Sequence, residues 1–264
     1  MKAFAALYEA LDRTTSTNAK VAAMAEYFRT APDNDRLWTI ALLSGRRPKR
    51  SVSATELRIW AAGAAGLPDW LFEDSYAVTG DLAETIALVL PPAPRLEDTA
   101  LTVWIDRIRA LAGQPAEVRR AAILSAWESL DTPGRFLFNK LITGGFRMGV
   151  SQTLMTRALA QATGLSEAEL QHRLMGDWDP ARTTFAALIL TNDADPAVSR
   201  PYPFYLAYPL ENEPASLGLP SDWLAEWKWD GIRGQFILRG GAHYLWSRGE
   251  ELITDRFPEL AQLT

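Results

Sequence analysis

The chain has 264 residues, 48% of them hydrophobic, and a formal net charge of −5. That length allows two ordinary domains with sizeable cores, and the acidic balance excludes a protein that coats polyanions while permitting a local basic patch. With no cysteine and two histidines, His172 and His243, disulfides, zinc clusters and thiol catalysis are excluded or nearly so. Apolar runs such as "FAALIL" at 185–190 are too short to span a bilayer, so the chain is expected to be soluble, unexported and cytoplasmic.

From the N-terminus to residue 192 the apolar positions recur at three and four. Phe4, Leu7, Tyr8 and Leu11 are one such set, and Leu101, Trp104, Ile105, Ile108 and Leu111 another. This predicts a helical domain over 1–192. Ser53 with Glu56 and Ser166 with Glu169 fit capping boxes, Thr132 before Pro133 reads as N-cap and N1, and Gly45, Gly144, Gly164 and Gly176 stand near helix ends. The run "RRPKR" brings together Arg46, Arg47, Lys49 and Arg50, which attract a polyanion backbone but in most proteins are simply solvated. "PPAPRLED" from Pro91 splits the helices into two sets of like composition, read as one domain with a long internal connection.

The stretch "FNKLITGGFRMGVSQTLMTRALA" at 138–160 leads a glycine turn into a helix capped by Ser151. Its free amides and helix dipole suit a phosphate, with Gly149 in the turn and Arg147 beside it. An ordinary helix–helix turn with Gly144 as C-cap fits the same residues equally well.

Residues 193–222 exchange helical periodicity for prolines and aromatics, and read as a linker that packs against something. A domain built on strands is expected over 223–264. In "EWKWDGIRGQFILR" alternation sends Trp227 and Trp229 to a core-facing side and Glu226, Lys228 and Asp230 to the other. Gly240-Gly241 then reads as the turn of a hairpin with "AHYLWSR", a register that sets Arg239 against Ala242, Phe236 against Leu245 and Arg233 against Arg248. Two opposed guanidinium groups repel unless an anion lies between them, and phosphate fits their forks. A lysine near such cations becomes a usable nucleophile, although Lys-x-Asp-Gly by itself is a weak signal.

With its flanks, "EWKWDGIRGQFI" followed by "LWSRGEELITDRFPEL" resembles the opening of the nucleotidyltransferase domain of ATP-dependent DNA ligases of the bacterial type, and 138–160 resembles that family's helical DNA-binding domain. The resemblance implies a multi-domain protein, with an all-α N-terminal DNA-binding domain followed by the first antiparallel strands of an α+β adenylation domain. It implies that Lys228 attacks the α-phosphorus of ATP, with Asp230 near the reacting phosphate. Arg233 and Arg248 contact the nucleotide, and Glu226 accepts from the adenine amino group. It also favours phosphate contact at Arg147, Gly149 and Ser151. The implied activity is sealing of nicks in duplex DNA in repair, replication and recombination, by a monomer that uses ATP and Mg²⁺ and no membrane.

The family's later motifs, its metal-binding glutamates and its OB-fold lid would follow Thr264. The expectation is therefore a truncated ligase, inactive alone and with no metal ligand of its own. The rivals are an RNA ligase or capping enzyme that shares KxDG, an NAD-dependent ligase, and a non-catalytic DNA-binding module.

Overall fold

A computed structural model describes residues 1–146, 149–174, 178–191, 201–204, 209–224, 226–227, 229–248 and 253–263, with backbone alone at 168, 172 and 261. The chain divides into two compact units, one of residues 1–167 with 180–190 and one of residues 168–179 with 191–264.

The first unit is helical throughout. Its helices are α1 (Lys2–Asp12), α2 (Thr17–Thr30), α3 (Asp33–Leu43), α4 (Ala54–Ala65), α5 (Asp69–Thr79), α6 (Leu82–Val89), α7 (Leu101–Ala110), α8 (Ala116–Ser129), α9 (Thr132–Thr143) and α10 (Gln152–Thr163). Residues spaced at three and four bury Phe4, Leu7 and Leu11 of α1, Met24 and Phe28 of α2, and Met155 and Leu159 of α10. The helix α10 packs on α2, α6 on α9, and α1 on both α2 and α9. Each such buried side chain contributes on the order of 1.5–3 kcal/mol of transfer free energy. All five apolar positions of the Leu101–Leu111 set are buried, as their spacing predicts. None of the described helices is long and apolar enough to cross a membrane.

Local capping follows the sequence at α4 and at the ends of α9 and α10, with one slip; Gly176 lies outside the described residues. Ser53 and Glu56 form a reciprocal capping box at α4, and Gly144 and Gly164 close α9 and α10 in the left-handed conformation. At α9, however, the N-cap is Asp131 and not Thr132, because the Asp131 carboxylate accepts from the Gly134 amide at 2.9 Å and moves the Thr132-Pro133 pair inside the first turn. Gly134 is needed there, since a Cβ would stand 2.8 Å from that carboxylate.

Two polar side chains tie distant segments. Ala100 precedes α7 and has no side chain to cap it, so Asp35 of α3 substitutes, accepting from the Leu101 and Thr102 amides at 3.0 and 2.9 Å and from the Thr102 hydroxyl at 2.6 Å. Arg135 of α9, 3% exposed, donates to the carbonyls of Trp127 and Pro91 at 2.6 and 2.7 Å. Its burial lowers its proton affinity, against the pull of Asp131. The proline-rich connection after α6 is therefore fixed to the core.

In the second unit, α11 (Glu167–Leu174) starts at the unit's edge, and the sheet is one antiparallel hairpin, β1 (Gly234–Arg239) with β2 (Ala242–Ser247). Its small core is Ile237, Leu245, Trp246 and Ile253. The segment before the hairpin contributes a docked aromatic: Tyr202 exchanges backbone hydrogen bonds of 2.9 and 2.5 Å with the Gln235 side chain.

Trp227 and Trp229 depart from expectation. They are 85% and 81% exposed, and no strand is assigned to the described residues between 226 and 233. An extended segment holds its inward side chains in place only with a paired neighbour and a second layer to pack on, and the two-stranded sheet supplies neither to this segment.

Removing the substitute cap tests this account of the core. Asp35→Ala strands one buried and one part-buried amide at the start of α7 and is expected to cost about 2 kcal/mol. Urea unfolding of the chain measures it, and a loss below about 0.5 kcal/mol counts against the role.

Candidate functional site

In the helical unit the described residues between α9 and α10, 144–146 and 149–151, are held from below and from the side. Gly144 adopts φ +77° and sends its amide to the Lys140 carbonyl at 2.8 Å. Phe146 is buried, its ring centroid 6.1 Å from Phe4 and 6.3 Å from Tyr8. Gly149 has φ +55°. Ser151 then caps α10, its hydroxyl accepting from the Leu154 amide at 3.3 Å. The first turn of this 12-residue helix carries no acidic residue, so its amide end presents an unopposed positive dipole.

Three cations reach this loop from elsewhere in the sequence. Arg50 donates to the Thr143 carbonyl at 2.8 Å, Arg47 donates to the Gly144 carbonyl, and Lys20 of α2 donates to the Gly149 carbonyl at 3.1 Å. Arg47, Lys49 and Arg50 are exposed, and Arg46 is half-buried. The "RRPKR" run and the glycine turn, which the sequence presents as separate features, are thus one basic surface. Lys20 carries no local signal in the sequence, because its partner lies 129 positions away. Arg147 lies outside the described residues.

Beneath the turn, Lys140, 8% exposed, forms an ion pair with Asp81, which also caps α6 by accepting from the Glu84 amide at 3.1 Å. A Cβ on the exposed Gly145 would stand 3.5 Å from Lys140. Burial pushes the Asp81 carboxyl up, but the hydrogen bond from Lys140 and the amides of Glu84 and Ala83 outweigh it. The net effect holds Asp81 below its ordinary value of 3.8.

In the second unit, Gly240 and Gly241 form the hairpin turn with φ of +57° and +76°. The register sets Arg239 against Ala242 and Phe236 against Leu245 as predicted. Gly234 faces Ser247, and the Arg248 amide donates to the Arg233 carbonyl at 3.0 Å, so the ladder's next step brings the two arginines opposite one another. Both line a cavity of about 280 Å³ with Gly231, Ile232 and Ser247. Among the described residues no carboxylate pairs with either guanidinium. Gly234 is required by close approach, since a Cβ would meet the Trp246 carbonyl at 3.0 Å. Glu226 and Asp230 are exposed on the segment before the hairpin, and Lys228 lies outside the described residues.

A larger cavity of about 480 Å³ runs between α7 and α8, lined by Trp104, Ile108, Leu111, Val118 and Phe138. It is mostly apolar, its rim charges Glu97 and Arg107 neutralise each other at 3.0 Å, and it presents no set of groups for anion binding or proton transfer. No group of three or more His, Cys, Asp or Glu that could hold a metal ion occurs among the described residues.

Residues 1–160 match the family described as DNA ligase N terminus. A probable DNA ligase of Koribacter versatilis is 27% identical over 273 aligned positions, covering 98% of this chain and 47% of that protein. DNA ligase B of Mycobacterium tuberculosis is 27% identical over 259, covering 95% and 46%. A probable DNA ligase of Pseudarthrobacter chlorophenolicus is 29% identical over 175, covering 64% and 34%. The chain spans about half the length of the first two relatives.

The Asp81–Lys140 pair makes a testable link between pH and stability. A carboxyl depressed in the fold contributes stability that is complete above its ordinary value and is lost as pH falls through the folded value. Thermal unfolding between pH 6 and about 2 is expected to show a larger acid loss for the natural chain than for Asp81→Asn. Equal losses in the two proteins exclude the pair as a contributor.

Proposed function

Because this chain belongs to the DNA ligase N-terminus family, we propose that it is the DNA-holding and nucleotide-binding part of an ATP-dependent ligase that seals nicks in duplex DNA. The helical unit meets the phosphate backbone through Gly149, Ser151 and Arg147 on the loop, which lies within the basic surface that Arg46, Arg47, Lys49 and Arg50 make beside it. A focused basic surface on a chain of net charge −5 limits DNA contact to one side, and backbone phosphates give no sequence preference, which suits an enzyme acting wherever a nick occurs.

The single observation that carries the nucleotide reading is the pairing of Arg233 with Arg248 around one cavity, directly after the Lys-x-Asp-Gly tetrapeptide. Opposed guanidinium groups with no carboxylate between them are stabilised by a bridging anion, and the triphosphate of ATP supplies one. In this reading Arg233 and Arg248 neutralise the phosphates and Glu226 accepts from the adenine amino group. The Lys228 amine, after losing a proton, bonds to the α-phosphorus as the bond to pyrophosphate breaks. Asp230 lies close to that phosphorus. The AMP then passes to the 5′-phosphate of the nick, and the 3′-hydroxyl displaces it with formation of the phosphodiester.

Mg²⁺, when bound with the triphosphate, supplies charge neutralisation; it is commonly held by substrate phosphates and one or two carboxylates. Positioning and charge neutralisation provide most of the rate in such phosphoryl transfers.

The test is protein labelling by ATP carrying a label in the α-phosphate, with Mg²⁺, in the complete reading frame. Lys228→Ala is expected to abolish the label, and Arg233→Ala or Arg248→Ala to lower its rate at least about tenfold, the effect of one lost charge-assisted hydrogen bond. Label that persists in Lys228→Ala overturns the assignment of the nucleophile.

A further inference from the structure

Thr143 and Gly144 close α9, where the last carbonyls have no intrahelical donor and gather the negative end of the helix dipole. A phosphate approaching bare carbonyl oxygens is repelled, yet this is the loop whose other end, at Ser151, offers amides and a positive dipole. The structure resolves the conflict by occupying the carbonyls. Arg50 takes that of Thr143, Arg47 that of Gly144, and Lys20 that of Gly149.

The contact is close as well as polar. A Cβ on Gly144 would lie 3.3 Å from the Arg47 guanidinium, and one on Gly149 would lie 3.1 Å from the Lys20 ammonium. Both glycines have positive φ, so at each site the same residue provides the backbone turn and the open side against which the cation sits.

We propose that Lys20, Arg47 and Arg50 are positioning residues, which fix the backbone of residues 143–146 and 149–151 so that it presents amides to a DNA phosphate, and that their effect on DNA binding runs through the loop and not through contacts of their own. This rests on the reading of the loop as a DNA-phosphate site. Lys20, on a helix that the sequence does not mark as functional, belongs to that site in this view. Lys49 of the same basic run is exposed and is left to meet phosphates directly.

Two measurements on Lys20→Gln, Arg50→Gln and the conservative Lys20→Arg separate the alternatives. The first is amide hydrogen exchange across 143–151 without DNA. The second is affinity for a nicked duplex as a function of salt. The glutamine variants are expected to speed exchange at Gly149 and Val150 or at Thr143 to Gly145 by about tenfold, and to weaken binding with an unchanged slope of log K on log salt. Lys20→Arg is expected to restore both.

Unchanged exchange together with a slope shallower by about 0.9 for each cation removed marks the three as direct phosphate ligands and overturns the proposal. Unchanged exchange alone overturns it too. Failure of the unsubstituted chain to bind a nicked duplex sinks the DNA reading of the loop, while the exchange measurement still decides whether the cations set its backbone.

Discussion

The ion pair between Lys140 and Asp81 ties the last turn of α9 to the start of α6, and the basic surface of the helical unit is built outward from that end. Lys140 is nearly buried, so the pair is not a surface ornament. Removing Asp81 leaves the buried Lys140 ammonium uncompensated, which is more damaging than the net worth of making the pair. Asp81 at the same time caps α6, which packs on α9, so one carboxylate joins two helices and anchors the residue over which Gly145 lies. Arg135 and Asn139 sit on the same helix, and Asn139 accepts from the Trp127 indole at 2.9 Å. The turn at Gly144 and Gly145 is thus the outer end of a helix locked by polar side chains from within.

Electrostatic focusing follows from that placement. Acidic residues outnumber basic ones by 32 to 27 in the chain, and still Lys20, Arg47 and Arg50 collect at one loop. Several of the surface acids are consumed by neighbouring arginines, as in Arg58 with Glu73, Arg107 with Glu97 and Arg119 with Glu56. What remains at the loop is a concentration of positive charge beside a helix N-terminus with no acid in its first turn.

The hairpin of the second unit obeys a different constraint. Its two-residue glycine turn fixes which residues oppose one another, and every downstream pairing follows from that choice. The arginines stand opposite one another because the turn and the ladder require it, and both line one cavity. Exposed indoles at Trp227 and Trp229 belong to the segment before β1, where no strand is assigned to the described residues.

The sequence by itself determined what depends on near neighbours in the chain. The three-and-four spacing placed the helical core, Ser53 and Ser151 marked their helix starts, and the Gly240-Gly241 pair set the hairpin register through Arg233 and Arg248. Each of these is a contact within a turn or across one hairpin, so residue order and backbone geometry suffice. The N-cap of α9 slipped by one residue because Asp131 and Thr132 can both cap, and the short carboxylate reach to Gly134 settled it. Only the tertiary structure decided that "RRPKR" lies against the glycine turn, that Lys20 joins them, and that Asp81 anchors Lys140, because these partners stand 93, 97, 129 and 59 positions apart and no periodicity encodes them. It also left Trp227 and Trp229 in solvent, since alternation shows which side chains share a face but not whether anything covers it.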